Sequence, residues 1–130
     1  MLGYLDFLFL SYSGRIGRST YWISLIVLGA VQLAAIWGLL QLSHGSLMQL
    51  GADPETLGKG LMERGVLPVG IVSALFLYPT YAITTKRWHD RDKSGWWSLI
   101  GFVPIIGGLW YLIELGFLGG SDGANSYGSR

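Results

Sequence analysis

The sequence predicts an all-α integral membrane protein, and three observations carry that expectation. Apolar residues make up 51% of the chain while charged residues make up only 13%, outside the usual range of soluble domains. Mean hydropathy is positive. Three apolar segments, residues 21–42, 66–83 and 96–118, approach the roughly 20 residues that a helix needs to cross about 30 Å of hydrocarbon. The whole of residues 1–130 reads as a single membrane domain, with three transmembrane helices and an interfacial N-terminal helix.

The N-terminal segment, residues 1–20, holds LGYLDFLFLSY, which is apolar on most sides and too short to cross a bilayer. It fits a helix lying in the interface. Segment 21–42 contains no ionisable group and follows Arg15 and Arg18, with Ser19 or Thr20 as its expected N-cap. Its length, with no small-residue cleavage pattern after it, favours a retained signal-anchor. Asp53 before Pro54 forms a cap and first-turn pair for a short surface helix to about Arg64.

Segment 66–83 carries Pro68, Gly70 and Pro79, which predict a kink, and Tyr78 and Tyr81 suit the interface. Segment 96–118 starts after Ser94, a suitable N-cap, with Trp96 and Trp97 as an aromatic belt. Pro104, Gly107 and Gly108 fall near its middle, so it is expected as a kinked crossing, with a re-entrant hairpin as the alternative. The tail, residues 119–130, is rich in Gly and Ser and is expected as a flexible end or, alternatively, as a turn built on Asp122 and Asn125.

For three crossings, Arg15, Arg18, Lys86, Arg87, Arg91 and Lys93 share one side, against Lys59, Arg64 and Arg130 on the other. The positive-inside rule then places the N-terminus in the cytoplasm and the C-terminus in the periplasm. A re-entrant hairpin would instead return Asp122 and Asn125 to the basic loop.

Four motifs stand in order along the chain: GRIGRSTYW at residues 14–22, KRWHDRDKSGWW at 86–97, PIIGGLWYLIELGFLGG at 104–120 and GANSYG at 123–128. Together they resemble the domain of unknown function 805 family of small bacterial inner-membrane proteins, with a longer polar link at residues 43–65. The resemblance implies residence in the bacterial inner membrane and supplies no substrate, cofactor or catalytic residue.

The charged stretch 86–93 holds seven ionisable side chains in eight positions. Its simplest reading is an interfacial ion-pair loop whose surplus positive charge meets anionic headgroups, at about 1 kcal/mol per basic residue. A sharper reading gathers Arg15, Arg18, Lys86, Arg87, His89, Asp90 and Lys93 into a lipid- or anion-binding site, because guanidinium forks match phosphate oxygens. His89 beside Asp90 suggests metal or acid–base chemistry only weakly, since no HxxxH or HExxH spacing accompanies it. No catalytic residue, metal ligand or cofactor site is assigned.

Glu114 is the one carboxylate inside the three segments, where an acid at the bilayer centre costs roughly 2.5–3.5 kcal/mol. Snorkelling or protonation relieves that cost, and pairing with a basic residue of another helix is the alternative. With no cysteine, disulfides, thiolate metal sites and cysteine nucleophiles are excluded. Nine basic residues scattered along an apolar chain form no face for nucleic acid. The function expected is a structural, lipid-contacting or accessory membrane component, packing as a homo-oligomer or in a larger membrane complex. The alternatives are a small transporter or channel-like oligomer using Glu114 and a lipid-acting membrane enzyme using His89 and Asp90.

Overall fold

The computed structural model describes residues 2–47 and 54–129. Among the described residues the chain is helical with no strand; one antiparallel bridge joins Asn125 and Gly128. Five α-helices follow in order: α1 Leu2–Phe9, α2 Arg18–Leu47, α3 Pro54–Leu61, α4 Leu67–Asp90 and α5 Ile106–Tyr111. A π-helical turn, Met62–Val66, joins α3 to α4, a 3-10 helix occupies Gly95–Phe102, and a second π-helical turn, Leu112–Phe117, extends α5.

Two helical stretches, Arg18–Leu42 and Gly58–Asp90, are long and apolar enough to cross a membrane. A soluble protein buries such helices in its core. Here only 6% and 11% of their most apolar windows are buried, and Ile26, Leu33 and Trp37 on α2 are each about two-thirds exposed. A helix that is apolar around its circumference and uncovered by its own chain is matched to lipid.

The chain divides into two compact units. One comprises residues 28–77: the body of α2, α3 and the first part of α4. Asp53, expected to cap α3, lies outside the described residues. The other comprises Met1–Val27 and Tyr78–Arg130, and it inverts the soluble pattern. Its buried side chains include Arg15, Lys86, Arg87, His89 and Asp90 beside Ile16, Ile83, Trp88 and Leu115.

Several boundaries differ from the sequence expectations, each for a local reason. Helix α2 begins at Arg18, and the Tyr21 N–H donates to the Gly17 carbonyl at 2.9 Å, so Ser19 and Thr20 sit in the first turn rather than at the cap. Arg15 precedes the helix and does not share its first turn with Arg18. The expected loop at residues 86–93 is mostly helix, because α4 continues to Asp90. It ends in a Schellman motif: Lys93 N–H donates to Trp88 O at 2.9 Å and Asp92 N–H to His89 O at 3.0 Å, with Asp92 at φ 55° in place of the usual glycine.

Segment 96–118 folds as two short arms. Ser94 caps the first arm as expected, accepting from Trp96 N–H. The Pro104–Ile105 turn, with Ile105 at φ 66°, then sends the chain into α5. The arms meet closely: a Cβ on Gly107 would lie 2.2 Å from the Ile100 carbonyl oxygen, so only glycine fits. The Tyr111 hydroxyl donates to the Ser98 carbonyl, and Trp88 packs against Trp97 and Tyr111 with ring centroids 6.0 and 6.1 Å apart. The returning arm, Ile106–Phe117, is a short apolar helix of about 18 Å, less than the hydrocarbon thickness.

Candidate functional site

The last turns of α4 set the site. Lys86, Arg87 and Asp90 are all fully buried, and the i, i+3 spacing of Arg87 and Asp90 brings them together on one helix face. Arg87 Nη1 donates to Asp90 Oδ2. From the connector between α1 and α2, Arg15 approaches the other carboxylate oxygen, Oδ1, with Nε at 3.3 Å and Nη2 at 3.1 Å. Asp90 is thus held between two guanidiniums.

Three further acceptors complete Arg15. Nη1 donates to the carbonyls of Gly123 at 2.6 Å and Gly128 at 2.8 Å, and Nη2 to Ser121 at 2.9 Å. All five N–H groups of the guanidinium therefore have a protein acceptor. A buried charge is tolerated only when paired and hydrogen-bonded, and Arg15 meets both conditions.

The other cations serve backbone carbonyls near helix ends, where unpaired C=O groups and the helix dipole favour positive charge. Lys86 Nζ donates to Phe7 at 2.7 Å, to Leu8 at 2.8 Å and to Ser11, using its three protons to close the end of α1. Each carbonyl from Leu115 to Gly119 accepts a side-chain donor. Arg87 takes Leu115 at 2.8 Å and Leu118 at 2.6 Å, Trp22 takes Gly116 at 3.2 Å, Arg18 takes Phe117 at 3.0 Å, and Arg91 takes Gly119.

The tail is ordered by the same cluster. Ser121 N–H donates to Asp90 O at 2.7 Å, and Asn125 Nδ2 donates to His89 O at 2.8 Å and to Ser121 Oγ at 3.1 Å. Ser126 N–H donates to Asp92 Oδ1 at 3.0 Å. Gly123 and Gly128, at φ 76° and 100°, supply the left-handed conformations the turn needs. Tyr127 stacks on His89 with centroids 3.9 Å apart and planes 5° from parallel, and His89 Nδ1 lies 3.1 Å from the Gly14 carbonyl. The tail thus packs against the end of α4 and the Arg15 connector.

Glu114 lies at the far end of the returning arm, outside both membrane-length helices. Its Oε2 accepts from Arg91 Nη2 at 2.9 Å and Nε at 3.1 Å, and its Oε1 from Lys93 Nζ at 2.8 Å. Burial alone would raise its pKa, but the bonds from Lys93 and Arg91 outweigh burial and hold the carboxyl below its ordinary value. Lys93 also sits 5.6 and 5.2 Å from the ring centroids of Trp88 and Trp97, a cation–π contact.

The structure thus unites Arg15, Arg87, His89, Asp90 and Asn125 in one cluster. It places Lys86 on the α1 carbonyls, Lys93 on Glu114, and Arg18, exposed, on Phe117. Asp122 is exposed at the turn. Sequence reasoning missed Trp22, Gly14 and the carbonyls of residues 115–119 and 121. A carbonyl carries no residue-type signal; the glycines of residues 116–128, read as a flexible end or a turn, are the one sequence feature that could have pointed to backbone open to close approach.

Comparisons with known proteins agree with this membrane reading. The family described as "Protein of unknown function (DUF805)" matches residues 9–129. The chain is 33% identical to the inner membrane protein YhaI of Escherichia coli strain K12, over 93% of this chain and 86% of that protein. It is 28% identical to the inner membrane protein YhaH of the same strain, over 92% and 86%. It is 29% identical to the uncharacterized protein YiiR, over 91% and 84%. No solved structure matches the chain.

Proposed function

This chain belongs to the DUF805 family of proteins of unknown function, and we propose that it acts as a non-enzymatic scaffold of the bacterial inner membrane. In this reading the charged cluster is a cohesive knot. It ties the N-terminal connector, the end of α4, the hairpin and the tail into one plate at the bilayer surface, which contacts lipid headgroups and a protein partner.

The observation that carries the reading is the saturation of Arg15 by Asp90 and three tail carbonyls. A catalytic acid, base or anion-binding fork needs an open face toward its substrate, and these groups are spent on the chain itself. Asp90 is sealed beneath two guanidiniums, which removes half of the His89–Asp90 pair that a lipid-acting enzyme would use. The transport alternative needs Glu114 to line a polar path, and its carboxylate is instead engaged by Arg91 and Lys93. Contact with anionic headgroups falls to Arg18, Arg91 and Lys93, which keep part of their surface open.

The topology we propose has two crossings, Arg18–Leu42 and the apolar part of Gly58–Asp90, with the hairpin entering the bilayer and returning. The basic residues of that plate support a cytoplasmic position for it and for both chain ends, by the positive-inside rule. The large uncovered apolar faces favour association with a second copy or a larger membrane complex.

The test is cross-linking in native membranes followed by size analysis. A scaffold gives a discrete complex in wild type that is lost in Asp90→Asn. A wild-type monomer, together with lipid turnover abolished by His89→Ala, would overturn the reading.

A further inference from the structure

A cleft of 480 Å³ opens beside the cluster without using any of its ion pairs. One wall is the α4 face carrying Tyr81, Thr85 and His89, spaced i, i+4, i+8 and therefore aligned along the helix. The other wall is the first hairpin arm, with Trp96, Ser98 and Leu99, and Tyr12 also lines the cleft. The walls meet where Gly95 abuts Thr85: a Cβ there would lie 2.4 Å from Thr85 Cγ2, so the floor depends on that glycine.

The chemistry of the lining is uneven along its length. Trp96 and Leu99 are 79% and 51% exposed and form an apolar mouth. Thr85, His89 and Ser98 are buried to 8%, 9% and 2% exposure and supply the polar end. Because His89 Nδ1 faces the Gly14 carbonyl, the bond network assigns the proton there and leaves Nε2 as an acceptor. The Ser98 hydroxyl is buried with no hydrogen-bond partner, an unmet group of the kind that costs about 1–3 kcal/mol. No side chain of fixed charge lines the cleft, so a phosphate would find no counter-ion.

We propose that this cleft binds one diacylglycerol-class lipid, its free glycerol hydroxyl at Thr85, Ser98 and His89 and its acyl chains passing Trp96 and Leu99 into the bilayer. The polar end offers an acceptor and two hydroxyls to an uncharged hydroxyl head, and the apolar mouth continues into lipid. This deepens the lipid-contacting part of the scaffold reading and rests on the hairpin lying in the membrane.

The test uses the full chain in phosphatidylcholine nanodiscs with a photoreactive diacylglycerol. The expected result is labelling within residues 95–102, competed by dioleoylglycerol and at least tenfold less by dioleoylphosphatidylglycerol or oleyl alcohol. Thr85→Val should cut labelling about tenfold, and Leu99→Trp, at an exposed position that can fill the mouth, should do the same with an unchanged melting temperature. Equal competition by the phospholipid or the alcohol, labelling spread evenly over the helices, or undiminished labelling of Leu99→Trp would overturn the site. Such failure leaves the melting temperature and the cross-linked complex intact, whereas failure of the scaffold reading appears as loss of that complex.

Discussion

Arg15 and Asp90, 75 positions apart, meet at 3.1 Å with both side chains fully buried. This pair closes the N-terminal connector onto the end of α4, and through the other Arg15 donors it fixes the tail. Losing one partner of a buried pair strands the other charge, which costs about 3–5 kcal/mol. Asp90→Asn should therefore lower stability by about that amount in detergent melts. Arg15→Met leaves Asp90 paired with Arg87 but strips the donors from three tail carbonyls, so it should cost less, about 1–3 kcal/mol, and the double variant should fall short of the sum by about 0.5–3 kcal/mol, as coupled neighbours do. Strict additivity would show that the pair does not act as a unit.

Lys86 should control α1 alone. Lys86→Met removes the ammonium that three α1-end carbonyls share, leaving them without that donor. Hydrogen exchange over residues 2–11 should accelerate by tenfold or more, while exchange in residues 121–128 stays within a factor of two. Equal acceleration in both segments would place Lys86 in the Arg15 knot instead.

The hairpin should loosen in acid. A carboxyl whose folded pKa is depressed contributes stability that is present above its unfolded pKa, ordinarily near 4.5, and is lost as pH falls through the lower folded value. Melting temperature should drop as pH falls below 4.5 more steeply in wild type than in Glu114→Gln, which has no carboxylate to protonate at that position. Parallel curves would assign the acid transition to other groups.

Asn125 hydrogen-bonds the tail to α4 through its side chain. Asn125→Ala removes donors to His89 O and Ser121 Oγ and the acceptor for Tyr127 N–H, at about 1–3 kcal/mol. Tail residues should become protease-sensitive while the α4 core keeps its protection. An unaltered digestion pattern would show that the Arg15 carbonyl bonds suffice.

The membrane class was legible because apolar runs and charge depletion are compositional. The Ser94 cap, the short helix near Pro54 and the helical N-terminus were legible from local rules. The site was half legible. Arg15, Arg87, His89, Asp90 and Asn125 stood out as polar residues at a membrane edge, but apart from Arg87 with Asp90 their mutual contacts are distant in sequence, 36 positions for Asn125 with His89 and 75 for Arg15 with Asp90. Their other partners are carbonyls, which every residue has. Pro104 with Gly107 marked an interruption without deciding between kink and turn. That choice is made by the close approach of Gly107 to Ile100 and by Tyr111 reaching Ser98. Glycine-rich residues 119–130 read as flexible for the same reason they form a tight turn, since φ above zero suits both.

In the proposed topology the tail rests on the end of α4 on one membrane face. The chain has no cysteine, so Asp92→Cys with Ser126→Cys gives a clean pair at positions whose native groups are 3.0 Å apart. A short bismaleimide added to membranes should cross-link this pair within one chain, and neither single variant should do so. A third full crossing would set the two cysteines about 30 Å apart across the hydrocarbon. Absence of the intramolecular cross-link, with each cysteine labelled from opposite sides of the membrane, would contradict the account.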